Sequence, residues 1–360
     1  MWLRITLPQG GCAIIDLDKR ETVGRGPWQI PKIGLGCVFL GDPFGPTDDN
    51  GMQDTLATAW NEGIGYFDTA PWYGNTKSEH RLGHFLRQRP RDAFTIATKV
   101  GRTYGRPADL SKFKSSKWMD RWKGGLEFDL TFDYTGDGVK RSYEDSLNRM
   151  GLNTLDALAI HDLDLKHHGD WETATKYLDQ LSNDGGYRAL RDLKDTGEIQ
   201  AIGVGINHVG MIPVFLERFD VDYFLVAMPY TLLDQPALDE EFDMCADAGA
   251  HVVIGAVFAS GVLATGSKDP GVYNYGTPSD EVLDRVRGME AVCDRHGVSL
   301  ASAALQFPLA HPVVRAVIPG ADTPDRVREN VVNIKAEIPT DFWQDLKDRK
   351  LLRADAPTPA

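Results

Sequence analysis

The chain of 360 residues carries 52 acidic and 39 basic side chains, which gives a formal net charge of −13. This negative balance repels phosphate groups, so we expect neither nucleic acid nor an anionic membrane as a partner. Apolar residues make up 42% of the chain and charged residues 25%, a composition that favours a folded globular protein. No apolar run reaches the ~20 residues that span a bilayer and no secretory signal is evident, which predicts a cytoplasmic location.

The cysteine pattern predicts neither a zinc site nor a disulfide framework. The four cysteines are Cys12, Cys37, Cys245 and Cys293, and no two of them form a Cys-x-x-Cys pair. We therefore expect reduced, buried thiols.

Short apolar runs alternate with helical patterns from about residue 33 to residue 334. Runs that are apolar throughout are typical of parallel strands buried on both faces. Eight such runs predict an α/β fold, the (β/α)8 TIM barrel, in a single domain that spans residues 1–360. The predicted strands cover residues 33–37, 65–68, 94–99, 157–161, 201–205, 223–227, 251–255 and 313–318.

The segments outside the barrel, which covers about residues 31–335, have patterns of their own. Residues 3–16 predict a short hairpin that caps the N-terminal end of the barrel. Residues 336–360 predict a C-terminal helix and a tail whose last ten residues are mobile.

Three connections are too long for simple turns, namely residues 100–137, 162–185 and 256–279. Each follows a predicted strand, so each lies at the C-terminal mouth, where TIM-barrel active sites occur. Most of their aromatic side chains are expected only to pack the loops onto the barrel, but some could line a substrate pocket. The pocket candidates, with one from the loop after the second strand, are Trp72, Trp118, Trp122 and Tyr273.

Four polar side chains stand at or just after the ends of successive predicted strands: Asp68, Tyr73, Lys99 and His161. Each alone has an ordinary structural explanation, such as a capped turn or a satisfied core histidine. Together on one rim of a barrel, they match what proton transfer to a carbonyl oxygen requires.

The charges of these residues suggest their roles. An ammonium group at Lys99 is expected to lower the pKa of the Tyr73 phenol, which is otherwise near 10. Asp68 would keep the buried lysine protonated and hold its position. His161, as a neutral donor or a cation, would orient the substrate oxygen beside Tyr73.

Such a site moves a proton but takes up no hydride, so a redox cofactor must complete it. Gly34-Leu35-Gly36 lacks the third glycine of a dinucleotide-binding Rossmann motif. In a barrel, phosphates bind near the last two βα loops and a helix N-terminus. Residues 319–323 and a helix starting at Pro324 are therefore the predicted phosphate site.

The runs Phe67-Asp68-Thr69-Ala70-Pro71-Trp72-Tyr73-Gly74, Thr98-Lys99-Val100-Gly101 and Ile160-His161 carry a family resemblance. With Ser78-Glu79 and Leu82-Gly83, they resemble the aldo-keto reductase superfamily over about residues 31–335. Phe132-Asp133-Tyr134, residues 230–235 and residues 304–312 are similar to the branch that holds L-fucose dehydrogenase, D-threo-aldose 1-dehydrogenase and pyridoxal 4-dehydrogenase.

The resemblance implies a nicotinamide-dependent barrel enzyme in which Asp68, Tyr73, Lys99 and His161 form a catalytic tetrad, with Tyr73 as the acid/base. It implies a small sugar or carbonyl substrate, and for the sugar branch an oxidation of the C1 hydroxyl of an aldose to a lactone, within carbohydrate metabolism.

Several cofactor positions depart from the family pattern. Asn207 stands near the usual serine and asparagine that grip the carboxamide, and Ala227 replaces an expected glutamine. The aromatic residue that stacks on the nicotinamide corresponds to Ala256 or, with a register shift, to Phe258.

The phosphate end of the cofactor site also departs from the pattern. Gly320 replaces the lysine that often meets the 2′-phosphate of NADP, while Ala321, Arg326 and Asn330 remain nearby. The loss of that charge favours NAD over NADP.

Other interpretations stay open. Within enzymes they are a pyridoxal 4-dehydrogenase or an NADPH-dependent aldehyde or ketone reductase, and outside enzymes a nicotinamide-binding regulatory subunit. A homo-oligomer is compatible with the sequence. A metal-dependent hydrolase is less favoured, because its potential ligands follow one strand only. Those residues are His161, Asp162, Asp164, His167 and His168.

Overall fold

A computed structural model of the protein describes residues 19–359. Its strands are β1 (Arg20–Thr22), β2 (Gln29–Pro31), β3 (Leu35–Gly36), β4 (Tyr66–Asp68), β5 (Thr95–Val100), β6 (Arg102–Gly105), β7 (Asp129–Phe132), β8 (Ala157–His161), β9 (Ala201–Ile206), β10 (Tyr223–Val226), β11 (His251–Ile254) and β12 (Val314–Val317). Eight of them form one parallel sheet in the order β3-β4-β5-β8-β9-β10-β11-β12.

The helices are α1 (Asp49–Asn61), α2 (Lys77–Leu86), α3 (Leu110–Lys114), α4 (Lys117–Arg121), α5 (Gly136–Met150), α6 (Leu165–His168), α7 (Trp171–Asn183), α8 (Gly186–Asp195), α9 (Met211–Leu216), α10 (Glu241–Ala248), α11 (Val262–Thr265), α12 (Asp280–His296), α13 (Leu300–Gln306), α14 (Pro324–Lys335) and α15 (Thr340–Asp348). None of these helices has both the length and the apolar surface to cross a membrane.

The parallel sheet closes on itself. Bridges join Ile33 to Val317 and Gly36 to Gly320, and the amide of Gly34 donates to the carbonyl of Val317 at 3.0 Å. The sheet is therefore a barrel, which confirms the predicted TIM-barrel fold. Each of the eight predicted strands overlaps one barrel strand.

An antiparallel hairpin of β1 and β2 closes the N-terminal end of the barrel. Trp28, just before β2, is 1% exposed and packs on two barrel tyrosines. Its ring centroid lies 4.9 Å from that of Tyr223 and 6.0 Å from that of Tyr66. The hairpin predicted at residues 3–16 lies outside the described residues.

Small residues leave the barrel interior room for these tyrosines. A Cβ atom on Gly203 would come within 2.3 Å of the Tyr223 ring, so glycine is required there. The other small interior residues are Ala97, Ala157, Ala159, Ala201 and Ala316.

The long connections contain secondary structure of their own. After β5 the chain forms the antiparallel pair β6–β7, with α3 and α4 between the two strands. The connection after β8 holds α6 and α7, and the one after β11 holds α11. These elements give the loops at the mouth a hydrogen-bonded framework.

The prediction of a mobile C-terminal tail is wrong for residues 351–356. Leu352 and Ala356 are buried in the main hydrophobic core. Arg353, between them, forms ion pairs with Asp239 and Asp355. Burial of these two apolar side chains offsets the entropy cost of ordering the segment.

The described cysteines agree with the prediction of reduced thiols. Cys37, Cys245 and Cys293 are buried and free. Cys12 lies outside the described residues.

Candidate active site

A tight turn after β4 places Tyr73. The amide of Tyr73 donates to the carbonyl of Ala70 at 3.1 Å, and its own carbonyl accepts from the amide of Ser78 at 3.1 Å. Gly74 has a φ of +69°, and a Cβ atom there would lie 2.4 Å from the carbonyl oxygen of Gly41. Only glycine meets both conditions, so this close backbone approach fixes the position of the tyrosine beside it.

Asp68 and Lys99 form a buried ion pair at the ends of neighbouring strands. Lys99 Nζ donates to Asp68 Oδ1 at 2.6 Å and to the carbonyl of Thr69 at 2.8 Å. Both side chains are almost completely buried. Burial raises the pKa of Asp68, although the lysine opposes that effect. Each charge compensates the other, as a buried pair requires.

Tyr73 and His161 lie next to this pair. Lys99 Nζ is 5.0 Å from the centroid of the Tyr73 ring. The centroids of the Tyr73 and His161 rings are 6.0 Å apart, and the two rings meet edge to face. The structure thus brings the four predicted residues together at the C-terminal mouth of the barrel.

The pKa of Tyr73 departs from the prediction. Burial and the carboxylates of Asp68 and Asp162 raise the pKa of this phenol well above 10, and Arg102 lowers it only in part. The prediction that Lys99 makes the phenol ionise readily is therefore wrong. The main reason is the burial of the phenol; in addition, Asp68 Oδ1 lies 2.6 Å from Lys99 Nζ and offsets much of the ammonium's field. At neutral pH, Tyr73 is a proton donor.

His161 is neutral at neutral pH. Burial, together with the positive charges of Arg102 and Lys99, lowers its pKa well below 6.5, although Asp162 opposes the shift. Its Nδ1 atom is buried and has no hydrogen-bond partner among residues 19–359. Of the two forms considered from the sequence, the neutral donor is the one that this environment favours.

Two of the predicted pocket residues form an aromatic wall beside the tetrad. The rings of Trp72 and Trp122 meet edge to face with centroids 5.6 Å apart. Trp72 is 5.8 Å from His161, and Trp122 is 5.9 Å from Tyr73, between ring centroids. Trp118 lies on α4, where its side chain is outside the described part of the structure.

Tyr273 is directed elsewhere, and its neighbour Tyr275 reaches the mouth instead. The Tyr273 hydroxyl donates to Asp234 Oδ2 at 2.9 Å. The Tyr275 hydroxyl donates to Asn207 Oδ1 at 3.1 Å, and Lys166 Nζ lies 3.9 Å from the centroid of its ring. The sequence prediction named Tyr273 and not Tyr275, because the path of a long loop sets the direction of each side chain.

Sequence reasoning also missed Arg102, on β6. This arginine is 2% exposed, and its Cζ atom lies 4.4 Å from the centroid of the Trp72 ring. Its Nη2 atom lies 3.2 Å from Asp162 Oδ2. An arginine three positions after Lys99, at the end of an apolar strand, was the available signal.

The candidate carboxamide and stacking residues lie at the ends of β9 and β11. Asn207 donates from Nδ2 to Asp162 Oδ1 at 2.8 Å and accepts from Tyr275. Phe258 is partly buried against the main core. An amide and an aromatic ring at this rim fit the carboxamide and the face of a nicotinamide, and Tyr275 would have to release Asn207 for that contact.

The predicted phosphate site lies at the start of α14. Thr323 caps the helix by accepting from the amide of Arg326 at 3.3 Å, as its sequence predicts. Gly320 packs so closely on Phe39 that a Cβ atom would come within 2.7 Å of that ring. Asn330 Nδ2 donates to the Gly320 carbonyl at 3.4 Å, and Ala321 is buried beside it. The positive end of α14 and a nearby arginine fit an anionic phosphate.

Asp162, Asp164 and His167 form the cluster considered as a metal site. Their potential ligand atoms lie within 4.8 Å of one another. Asp164 caps α6 and contacts His167 Nδ1 at 2.8 Å, while Asp162 is paired with Arg102. These contacts account for the charges of both carboxylates without a metal ion.

Comparisons with known proteins agree with this geometry. The model described as "Aldo/keto reductase family" matches residues 32–349. The chain is 36% identical to pyridoxal 4-dehydrogenase of Microbacterium luteolum, covering 93% of this chain and 98% of that relative. It is 35% identical to D-threo-aldose 1-dehydrogenase of a Pseudomonas species, covering 92% of this chain and 96% of the relative.

A solved structure supports the fold. A holo-form aldo-keto reductase from Bacillus halodurans superposes with a TM-score of 0.70 and 23% identity, over 94% of this chain and 97% of the other. The family match, the two relatives and the barrel together show that this chain belongs to the aldo-keto reductase family and is an NAD(P)-dependent oxidoreductase.

Proposed function

We propose that this protein oxidises the C1 hydroxyl of an aldose of the L-fucose or D-threo-aldose type, in its cyclic hemiacetal form, to a lactone. The observation that carries the proposal is the grouping of Tyr73 and His161 around the buried Asp68–Lys99 pair. A relative that is 35% identical is named for oxidation of an aldose at C1.

The four side chains have distinct tasks in this reaction. When bound, the nicotinamide supplies the acceptor for the hydride that leaves C1 with two electrons. The phenolate form of Tyr73 takes the proton of the C1 hydroxyl, so that a C=O bond forms as the C–H and O–H bonds break. Lys99, 5.0 Å from the centroid of the Tyr73 ring and held by Asp68, offsets part of the charge of that phenolate, and His161 donates a hydrogen bond to the reacting oxygen.

The aromatic wall would hold the sugar. Trp72 is partly exposed next to the tetrad and offers an apolar surface on which the C–H face of a sugar ring can pack, while the fully buried Trp122 supports it from behind. Their bulk would also exclude water from the reacting carbon, which strengthens the electrostatic contacts of the tetrad. This arrangement favours a ring-shaped substrate over a short open-chain aldehyde.

Asn207 and Phe258 would hold the nicotinamide, and Gly320, Ala321, Arg326 and Asn330 would hold the rest of the cofactor. We propose NAD as the preferred form. Arg326 is the cation on α14 nearest to the phosphate site. Its Nε atom lies 3.4 Å from Asp322 Oδ1, and this carboxylate offsets part of the arginine's charge. A 2′-phosphate would therefore find little net positive charge there.

The test is a steady-state assay of the purified protein with NAD and NADP against L-fucose, D-arabinose, L-galactose and pyridoxal. Reduced nicotinamide from at least one sugar, with the higher kcat/KM for NAD, is the expected result. The Tyr73→Phe variant, purified in parallel, controls for contaminating dehydrogenases.

The other outcomes identify the alternatives. Oxidation of pyridoxal alone would replace the aldose by the substrate named in the 36% identical relative. Reduction of aldehydes with NADPH, without oxidation of any sugar, would favour a reductase. Cofactor binding without turnover on any sugar or carbonyl would favour a regulatory subunit.

A further inference from the structure

Asp162 directly follows the candidate catalytic histidine and has an unusual backbone conformation. Its φ is +46°, in the left-handed region that non-glycine residues seldom adopt. The amide of Asp162 donates to the carbonyl of Gly205 at 3.2 Å, which holds the turn against β9. Strain of this kind persists where the surrounding structure fixes a side chain in a required place.

The carboxylate of Asp162 contacts four side chains. Its Oδ2 atom lies 3.1 Å from His161 Nε2, 3.2 Å from Arg102 Nη2 and 3.5 Å from His167 Nε2. Its Oδ1 atom accepts from Asn207 Nδ2 at 2.8 Å. The side chain is only 8% exposed, so these contacts are poorly screened by water.

The contacts keep Asp162 ionised. The two histidines and Arg102 lower the pKa of its carboxyl far below the usual range, despite burial. The same site therefore holds a permanent negative charge next to one particular nitrogen of the His161 ring.

We propose that Asp162 is a positioning residue for the oxidoreductase reaction, which keeps the proton of neutral His161 on Nε2 and links that ring to Asn207. The roles of His161 and Asn207 rest on the proposed function. The location of the proton does not, because it follows from the contacts around the ring alone.

Electrostatics favours this tautomer. A carboxylate oxygen 3.1 Å from Nε2 attracts an N–H group and repels a nitrogen lone pair. A proton on Nδ1 would instead be a buried donor without a partner among residues 19–359. The titratable and charged groups that act on the ring are Asp162, Arg102, Lys99 and His167, and only Asp162 among them is negatively charged and attracts a proton.

Nitrogen NMR of the imidazole rings tests the tautomer directly. Protein labelled with ¹⁵N at histidine would be examined at neutral pH, with the His161 signals assigned by their loss in His161→Gln. We expect a protonated Nε2 and a bare Nδ1 in the wild type, and loss of that preference in Asp162→Asn. A protonated Nδ1, or a charged ring, in the wild type would overturn the proposal.

Asp164→Asn is the matched control. Like Asp162, Asp164 is a buried carboxylate on the same loop, it contacts His167, and its Oδ2 atom accepts from Asn207 Nδ2 at 3.5 Å. Unlike Asp162, it caps α6 and has no contact with His161. This variant should keep the wild-type tautomer of His161. An equal effect of both substitutions would show that the loop needs two carboxylates, and would refute a specific role for Asp162.

Kinetics supply a second readout. Asp162→Asn should lower kcat by about a hundredfold with little change in KM for the sugar. The single N–H of the neutral ring, on Nε2, is the donor to the reacting oxygen; Asp162 acts on it through its charge, and the hydrogen bond to that oxygen strengthens in the transition state. Asp162→Glu, which keeps the charge, should recover part of kcat. Unchanged kcat in Asp162→Asn would contradict the proposal.

The two inferences can fail separately. If the wild type oxidises none of the sugars, the proposed function fails, but the NMR spectrum still decides the role of Asp162. If Asp162→Asn does not fold, the spectrum of the wild type and the kinetics of Asp162→Glu decide it.

Discussion

At the scale of single residues, the geometry assigns the proton to Tyr73. Tyr73→Phe should lower kcat by at least about a hundredfold, because the ring still packs on Trp122 but has no proton to exchange. The Kd for the cofactor, measured by fluorescence titration, should stay close to the wild-type value. Tyr230→Phe is the matched control, since this buried phenol packs between Phe242 and Phe307. Full activity in Tyr73→Phe would exclude the proposed acid/base.

The raised pKa of Tyr73 also predicts how each direction of the reaction depends on pH. Oxidation needs the phenolate, whose fraction increases with pH as long as the pH is below the pKa, and that pKa lies well above 10. The kcat/KM for sugar oxidation should therefore still be rising at about pH 9, while reduction, which needs the phenol, stays level over the same range. A plateau of the oxidation profile near neutral pH would mean that another group is the base.

At the scale of elements, the turn that carries Tyr73 depends on the contact between Gly74 and Gly41. Gly74→Ala places a Cβ atom 2.4 Å from the carbonyl oxygen of Gly41. Beyond the strain of a positive φ, this overlap should cost about 1–3 kcal/mol of unfolding free energy and displace Tyr73, so that kcat falls. Chemical denaturation and the sugar assay would measure the two effects.

Gly63→Ala is the control for that prediction. Gly63 has a φ of +89°, and among residues 19–359 no neighbouring atom lies within 4 Å of the position that a Cβ atom would take, so its substitution introduces backbone strain alone. It should lower stability slightly and leave kcat unchanged. Equal losses in the two variants would mean that the Gly41–Gly74 contact has no special role.

The strands and the tetrad could be predicted from the sequence because they follow local rules. A strand buried on both faces has to be apolar. The residue at its carboxyl end lies at the mouth of the barrel, independently of the conformation of the loops. Asp68 and His161 are such residues, Lys99 is the last residue but one of β5, and Tyr73 follows a short turn. The order of strands in the barrel was therefore enough to predict that these four side chains lie close together.

The rest of the site depends on contacts that local patterns do not encode. Whether Tyr273 or Tyr275 reaches the mouth is decided by a loop with two consecutive left-handed residues, Asn274 and Tyr275. The pKa of Tyr73 depends on Asp162, which comes near it because β8 and β4 lie on either side of β5 in the sheet. The ordered tail likewise reflects the burial of Leu352 in the main core of the folded protein.

At the scale of the whole molecule, the two ends of the barrel have different tasks. The mouth holds charged and polar groups whose burial is costly, such as the Asp68–Lys99 pair. The opposite end is closed by the β1–β2 hairpin, whose Trp28 packs on Tyr66 and Tyr223. Stability contributed at that end can compensate for the polar groups buried at the mouth.

Trp28→Ala separates these two tasks. Removal of this buried ring leaves a cavity under the barrel interior and should lower the free energy of unfolding by about 3–5 kcal/mol, as measured by chemical denaturation. At temperatures where the variant is folded, kcat and KM should match the wild type, because the tetrad stands on the other rim. Trp171→Ala, at a ring that is 48% exposed, should change stability by less than about 0.5 kcal/mol. A loss of kcat in folded Trp28→Ala would instead show that packing at the closed end sets the geometry of the tetrad.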